Sequence, residues 1–186
     1  MKAKLVGLLL KLMGWDVPKT SPKGVRKAVI CVGPHTSMWD FVVGKLIFMQ
    51  FDVQETFLLK KELFFPPLGW LLKKLGGIPT DRRSNVNLTD QAAAYFEKYE
   101  SMFMIIPPEA TRSYNPHWRT GFYYIAQKAQ VPIYVTVLDY KTKTVGFVKR
   151  IEPTGNIDED IAEIKEILSH ATGRYPKNGI RRVGDE

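Results

Sequence analysis

Two hydrophobic periods alternate along the chain. Residues 2–15, KAKLVGLLLKLMGW, follow the helical one: Lys4, Gly7, Lys11 and Gly14 share a narrow face, and Leu5, Leu8, Leu9, Leu12, Met13 and Trp15 cover the other. A charged, proline-containing linker leads to residues 28–32, a short, partly β-branched apolar run closed by Gly33-Pro34, which is the pattern of a buried strand. A helix is expected over 40–51, a strand over 55–59, and a proline-broken bend with a short helix over 64–72. Residues 76–82 read as a short strand running into a loop, 101–107 and 131–138 as further strands, and 144–151 as the partner of the last across a hairpin. Helices are expected over 88–99, 120–130 and 158–171, and the last dozen residues are expected to fray.

Strands alternating with helices predict an α/β fold, a layered mixed sheet flanked by helices. With 186 residues the chain has material for one domain, expected over 18–186, preceded by the amphipathic helix within 1–17. Composition changes this picture in two places. The single cysteine, Cys31, falls in a buried strand and has no partner for an intramolecular disulfide, so packing is its expected role. The net charge of +8 asks for an acidic partner. Its basic residues come as scattered pairs such as Lys60-Lys61 and Arg181-Arg182, without a nucleic-acid-binding motif, which favours an anionic membrane or a phosphate-bearing substrate over nucleic acid. No apolar run reaches the roughly 18 residues that cross a bilayer. The N-terminal helix is therefore expected to lie in the membrane interface with its lysines at headgroup level; the other reading packs it on its own domain.

Candidate chemistry centres on residues 32–41, VGPHTSMWDF. His35 falls on the turn between the first strand and the next helix, at the end of the sheet where α/β proteins place their chemistry. Thr36 and Ser37 are good N-cap residues, and Asp40 in the helix's first turns can reach back to the imidazole. A carboxylate that fixes one ring nitrogen leaves the other to take a proton, as a general base requires. The same pattern also fits a capped helix beside a half-buried histidine. His117 and His170 have no such partner and read as surface or structural residues.

Three further blocks follow in order. With His35–Asp40 as His-x4-Asp, residues 76–82 match Gly-x-Ile-x-x-x-Arg, residues 108–113 (PEATRS) are similar to Pro-Glu-Gly-Thr-Arg-Ser, and Val131-Pro132-Ile133 matches Val-Pro-Ile. Together they resemble the glycerophospholipid acyltransferase family, whose best-known members are 1-acylglycerol-3-phosphate acyltransferases. The resemblance implies a glycerolphosphate-acyltransferase-like fold and acyl transfer from a thioester, acyl-CoA or acyl-acyl carrier protein, to a lipid hydroxyl. It implies neither metal nor other cofactor, and a peripheral enzyme on the cytoplasmic face of a membrane. Under it, His35 is the general base and Asp40 its orienting partner. Arg82, Glu109, Thr111 and Arg112 bind the acceptor; the two arginines suit a phosphate, and Glu109 takes hydrogen bonds from the acceptor or holds an arginine. Oxyanion donors are expected among backbone N–H groups near the helix start after His35.

The chain departs from the family at Ala110, where glycine is usual, at Pro107, where an aromatic often stands, and at Val135, where a second proline is common. These departures bear on the acceptor more than on the chemistry. A lysophospholipid acceptor is expected first. The alternatives are a non-glycerol or amino-acid-headed lipid acceptor and, in another class, a non-catalytic basic lipid-binding protein.

Overall fold

A computed structural model describes residues 2–17, 24–51, 55–81 and 86–182. Six strands form one sheet: β1 (Lys27–Gly33), β2 (Glu55–Lys60), β3 (Gly77–Thr80), β4 (Met102–Ile106), β5 (Ile133–Asp139) and β6 (Thr144–Ile151), in the order β3-β2-β4-β1-β5-β6. The first five run parallel, and β6 returns antiparallel to β5, so the sheet is mixed as expected.

Because side chains alternate across a strand, each strand feeds two cores. Val29 and Cys31 of β1, Met102 and Met104 of β4 and Ile133 and Val135 of β5 face helices α4 (Leu88–Lys98), α5 (Gly121–Ala129) and α6 (Ile157–Ser169). Ala28, Ile30 and Phe103 face the other way, onto Phe48 of α2 (Trp39–Gln50). Burial on both faces explains why these strands read as continuous apolar runs rather than alternating ones. Cys31 is fully buried among them, and burial pushes its thiol pKa well up, in keeping with a packing role.

Helix α1 (Lys2–Leu12) forms, and it packs on the domain. Val6, Leu10 and Trp15 join Val43 and Ile47 of α2 with Leu138 and Val145 in a third apolar cluster. The expected apolar face is divided by this packing: Trp15 is buried, whereas Leu5, Leu8, Leu9 and Leu12 remain 45–77% exposed. Those four leucines form a second stripe, roughly 130° around the helix from Val6 and Leu10 at 100° per residue.

Boundaries shift for local reasons. β5 starts at Ile133 because Pro132 has no N–H for a ladder; its carbonyl instead accepts from Val29. The bend and short helix expected at 64–72 appear as α3 (Leu68–Lys74), whose last carbonyls lie beside α2, where Lys45 donates to the Leu75 carbonyl at 2.9 Å. Gly76, at φ +96°, turns the chain into β3, and a Cβ there would stand 2.2 Å from the Glu55 carbonyl oxygen. Only glycine fits that turn. The C-terminal segment does not fray where it is described. Gly173 and Tyr175 lie against Thr36, Arg174 lies over Trp39, and Ile180 meets Gly33 at the end of β1.

Candidate active site

Register places the candidate site. Cys31 of β1 lies opposite Ile106 of β4, and Gly33 lies opposite Val137 of β5. The residues just past these pairs, at the C-terminal ends of three adjacent parallel strands, therefore converge: His35 after β1, Glu109 after β4 and Tyr140 after β5.

Helix α2 begins at Trp39, one residue earlier than expected, and Asp40 in its first turn gathers the turn that precedes it. Oδ2 of Asp40 accepts the backbone N–H groups of Thr36 and Ser37, each at 2.8 Å. The Ser37 hydroxyl accepts the Trp39 N–H at 3.2 Å. The N–H groups of Thr36, Ser37 and Trp39 are thus engaged by their own turn. The same Oδ2 lies 3.0 Å from Nδ1 of His35. The Tyr140 hydroxyl donates to Oδ1 at 2.7 Å.

Burial pushes the Asp40 carboxyl up, but the bonds from His35, Tyr140, Ser37 and Thr36 outweigh it and leave the carboxyl below its ordinary range. Asp40 is thereby ionised near neutrality, and an ionised acceptor at Nδ1 selects the tautomer with its proton there. Nε2 is the ring atom left for proton exchange. Tyr140 is pushed the opposite way, first by burial and then by its bond to Asp40, so it stays a donor.

Glu109 takes a place different from the one expected. It is buried, and Oε1 accepts the backbone N–H of His35 at 2.9 Å, whereas the expected partners were the acceptor or Arg112. Oε2 is buried and has no hydrogen-bond partner among the described residues. Burial raises its pKa above the usual carboxylate range, and the His35 N–H offsets this only in part. Glu109 fixes the backbone that carries the imidazole.

Arg112 is exposed on the loop after Glu109, and Thr111 is half-buried with its hydroxyl accepting the Ser113 N–H at 3.3 Å. Asn115 ties this loop back to the Glu109 carbonyl at 2.9 Å. Ala110 adopts φ +55°, the left-handed region that glycine enters without strain. Arg82 lies outside the described residues. His170 pairs with Glu166 on α6 at 2.9 Å and His117 is exposed, both away from Asp40's network.

Tyr140 is the residue that sequence reasoning missed. It stands 100 positions from Asp40, and only the register of β1 with β5 brings them together.

A family described as Acyltransferase matches residues 16–138, more than half of the chain and all four blocks. The crystal structure of the 1-acyl-sn-glycerophosphate (LPA) acyltransferase PlsC from Thermotoga maritima shares the fold, with a TM-score of 0.60 and 19% identity over 90% of this chain and 75% of that one. No curated protein sequence matches. Blocks in their expected order, matched from Asp16 to Leu138, place the chain in the acyltransferase family.

Proposed function

We propose that this protein transfers a fatty acyl group from an acyl thioester to the hydroxyl of a lysophospholipid such as lysophosphatidic acid, working at the cytoplasmic face of a membrane. The observation that carries the reading is the 3.0 Å contact of His35 Nδ1 with Asp40 Oδ2 at the C-terminal end of the parallel strands. In this scheme Nε2 takes the proton of the acceptor hydroxyl as its oxygen attacks the thioester carbonyl. Asp40 stabilises the imidazolium so formed. The tetrahedral intermediate then breaks its C–S bond, and the leaving thiolate recovers the proton from Nε2. The balance is one ester formed, one thioester broken and one thiol released. The thioester is acyl-CoA or acyl-acyl carrier protein, and either suits a chain of net charge +8. Arg112, with Arg82, is assigned to the acceptor phosphate.

Membrane contact is supported by exposed apolar side chains on two helices: Leu5, Leu8, Leu9 and Leu12 of α1, and Trp70 and Leu71 of α3. Among the described residues no helix is long and apolar enough to cross a membrane. An amphipathic element lying in the interface needs no such span.

The test is turnover with one acyl-thioester donor and a panel of acceptors: lysophosphatidic acid, glycerol 3-phosphate, a zwitterionic lysolipid and a neutral monoacylglycerol. Lysophosphatidic acid is expected to lead. His35→Ala and Asp40→Asn are expected to lower kcat by about 10²–10⁴-fold with unchanged circular dichroism. Wild-type rates in either variant would remove the base from the scheme. Preference for a neutral or amino-acid-headed lipid would reassign the acceptor.

A further inference from the structure

Beyond residue 138, where the family match stops, the chain makes β6 and α6 and then returns to the site. The return is pinned closely. The Tyr140 N–H donates to the Thr172 carbonyl at 2.8 Å, and the Thr172 N–H donates to Asp139 at 3.2 Å. One turn further, the Tyr175 N–H donates to the hydroxyl of Thr36 at 3.2 Å. Between them Gly173 lies so near that a Cβ would meet Thr36 Cγ2 at 2.5 Å. The backbone on both sides of Arg174 is therefore held against the residue that follows His35.

The Arg174 guanidinium lies over the ring of Trp39, 5.2 Å from its centroid, and interacts with the Tyr140 hydroxyl. Trp39 precedes Asp40, and Tyr140 donates to Asp40. Arg174 is thus one side chain removed from the His35–Asp40 contact. It is exposed, and among the described residues no carboxylate forms an ion pair with it. A guanidinium resting on an indole loses little entropy in binding, and the N–H donors not turned to Tyr140 match the oxygens of a phosphate.

We propose that Arg174 is a phosphate-binding subsite at the rim of the His35–Asp40 site, contributed by a segment beyond the family's matched core. The inference rests on the acyl-transfer reading for the identity of its ligand. Both substrates of that reading carry phosphate, the acceptor in its headgroup and the donor in its phosphopantetheine arm or nucleotide. The shared chemistry is a phosphate ester, and the experiment assigns its source.

Binding is followed first, without turnover. The Nε–H resonance of Arg174 in nitrogen-15-labelled protein, identified by its loss in Arg174→Lys, is titrated separately with glycerol 3-phosphate and with coenzyme A. A saturable shift with glycerol 3-phosphate assigns the subsite to the acceptor, and one with coenzyme A alone assigns it to the donor. No shift with either at millimolar concentration overturns the proposal. Kinetics give the second readout: Arg174→Ala is expected to raise KM for the assigned substrate about tenfold, the size of one charge-assisted hydrogen bond, with partial recovery in Arg174→Lys. A fall in kcat with both KM values unchanged would make Arg174 a mere prop for Tyr140 and would also overturn it. A wild-type protein that transfers no acyl group refutes the acyl-transfer reading, while the titration still decides the subsite.

Discussion

Asp40 divides its two oxygens between different neighbours, the Tyr140 phenol on Oδ1 and the imidazole with two backbone donors on Oδ2. Tyr140→Phe removes one donor and leaves the other three. It is expected to lower kcat by about 3–10-fold, the net worth of a typical hydrogen bond, with KM nearly unchanged. Steady-state kinetics check this, and an unaltered kcat would show that the phenol does not position Asp40. Glu109 offers a test through pH. Its pKa is raised in the folded protein, so ionising it opposes folding, and that penalty disappears as pH falls through the raised value. Relative to Glu109→Gln, the wild-type protein should therefore gain unfolding free energy in urea titrations as pH falls through the raised folded value toward the ordinary glutamate value. A constant difference across that range would mean that Glu109 titrates alike in the folded and unfolded states. Asp40 has the opposite sign, since its stabilisation is lost as pH falls through its lowered folded value. His35 and Asp40 were legible because their contact is local, five residues across one turn. Glu109 and Tyr140 act at separations of 74 and 100 residues, where no spacing rule constrains a pair.

At the scale of elements, α1 shows where a helical wheel stops being informative. The wheel groups apolar positions but does not say which stripe meets protein. Val6 and Leu10, outside the face expected to be apolar, are the residues that pack on α2, and four of the expected leucines remain exposed. The two stripes should respond differently to substitution. Leu10→Ala empties a site that is 1% exposed and should cost about 2–5 kcal/mol of stability. Replacing Leu5, Leu8, Leu9 and Leu12 together with glutamine should leave the unfolding midpoint within a few degrees while reducing sedimentation with anionic liposomes. Undiminished liposome binding would move membrane contact to α3 or to the basic surface. The strands were easier to read, since burial on both faces of a parallel sheet leaves long apolar runs bounded by glycine and proline. The C-terminal segment was illegible for the converse reason. Residues 170–182 are largely polar and short of periodicity, and they are held by separate hydrogen bonds to Thr36, Asp139 and Tyr140 and by Ile180 rather than by a patterned face.

At the scale of the molecule, the candidate site is a meeting of chain segments far apart in sequence rather than a pocket carved from one of them. The matched family segment supplies His35, Asp40 and Glu109, while Tyr140 and the pinned return at Gly173 lie beyond its end at residue 138. The bond between Thr36 and Tyr175 spans 139 residues. That distance has a consequence for synthesis. A ribosome delivers His35 and Asp40 early, but the phenol that braces Asp40 follows 100 residues later and the segment that closes over Thr36 later still. Contacts of such long range also form late when a complete chain folds. A nascent chain should therefore carry Asp40 without its phenol, and Thr36 without the segment that closes over it, until almost all of it has left the exit tunnel.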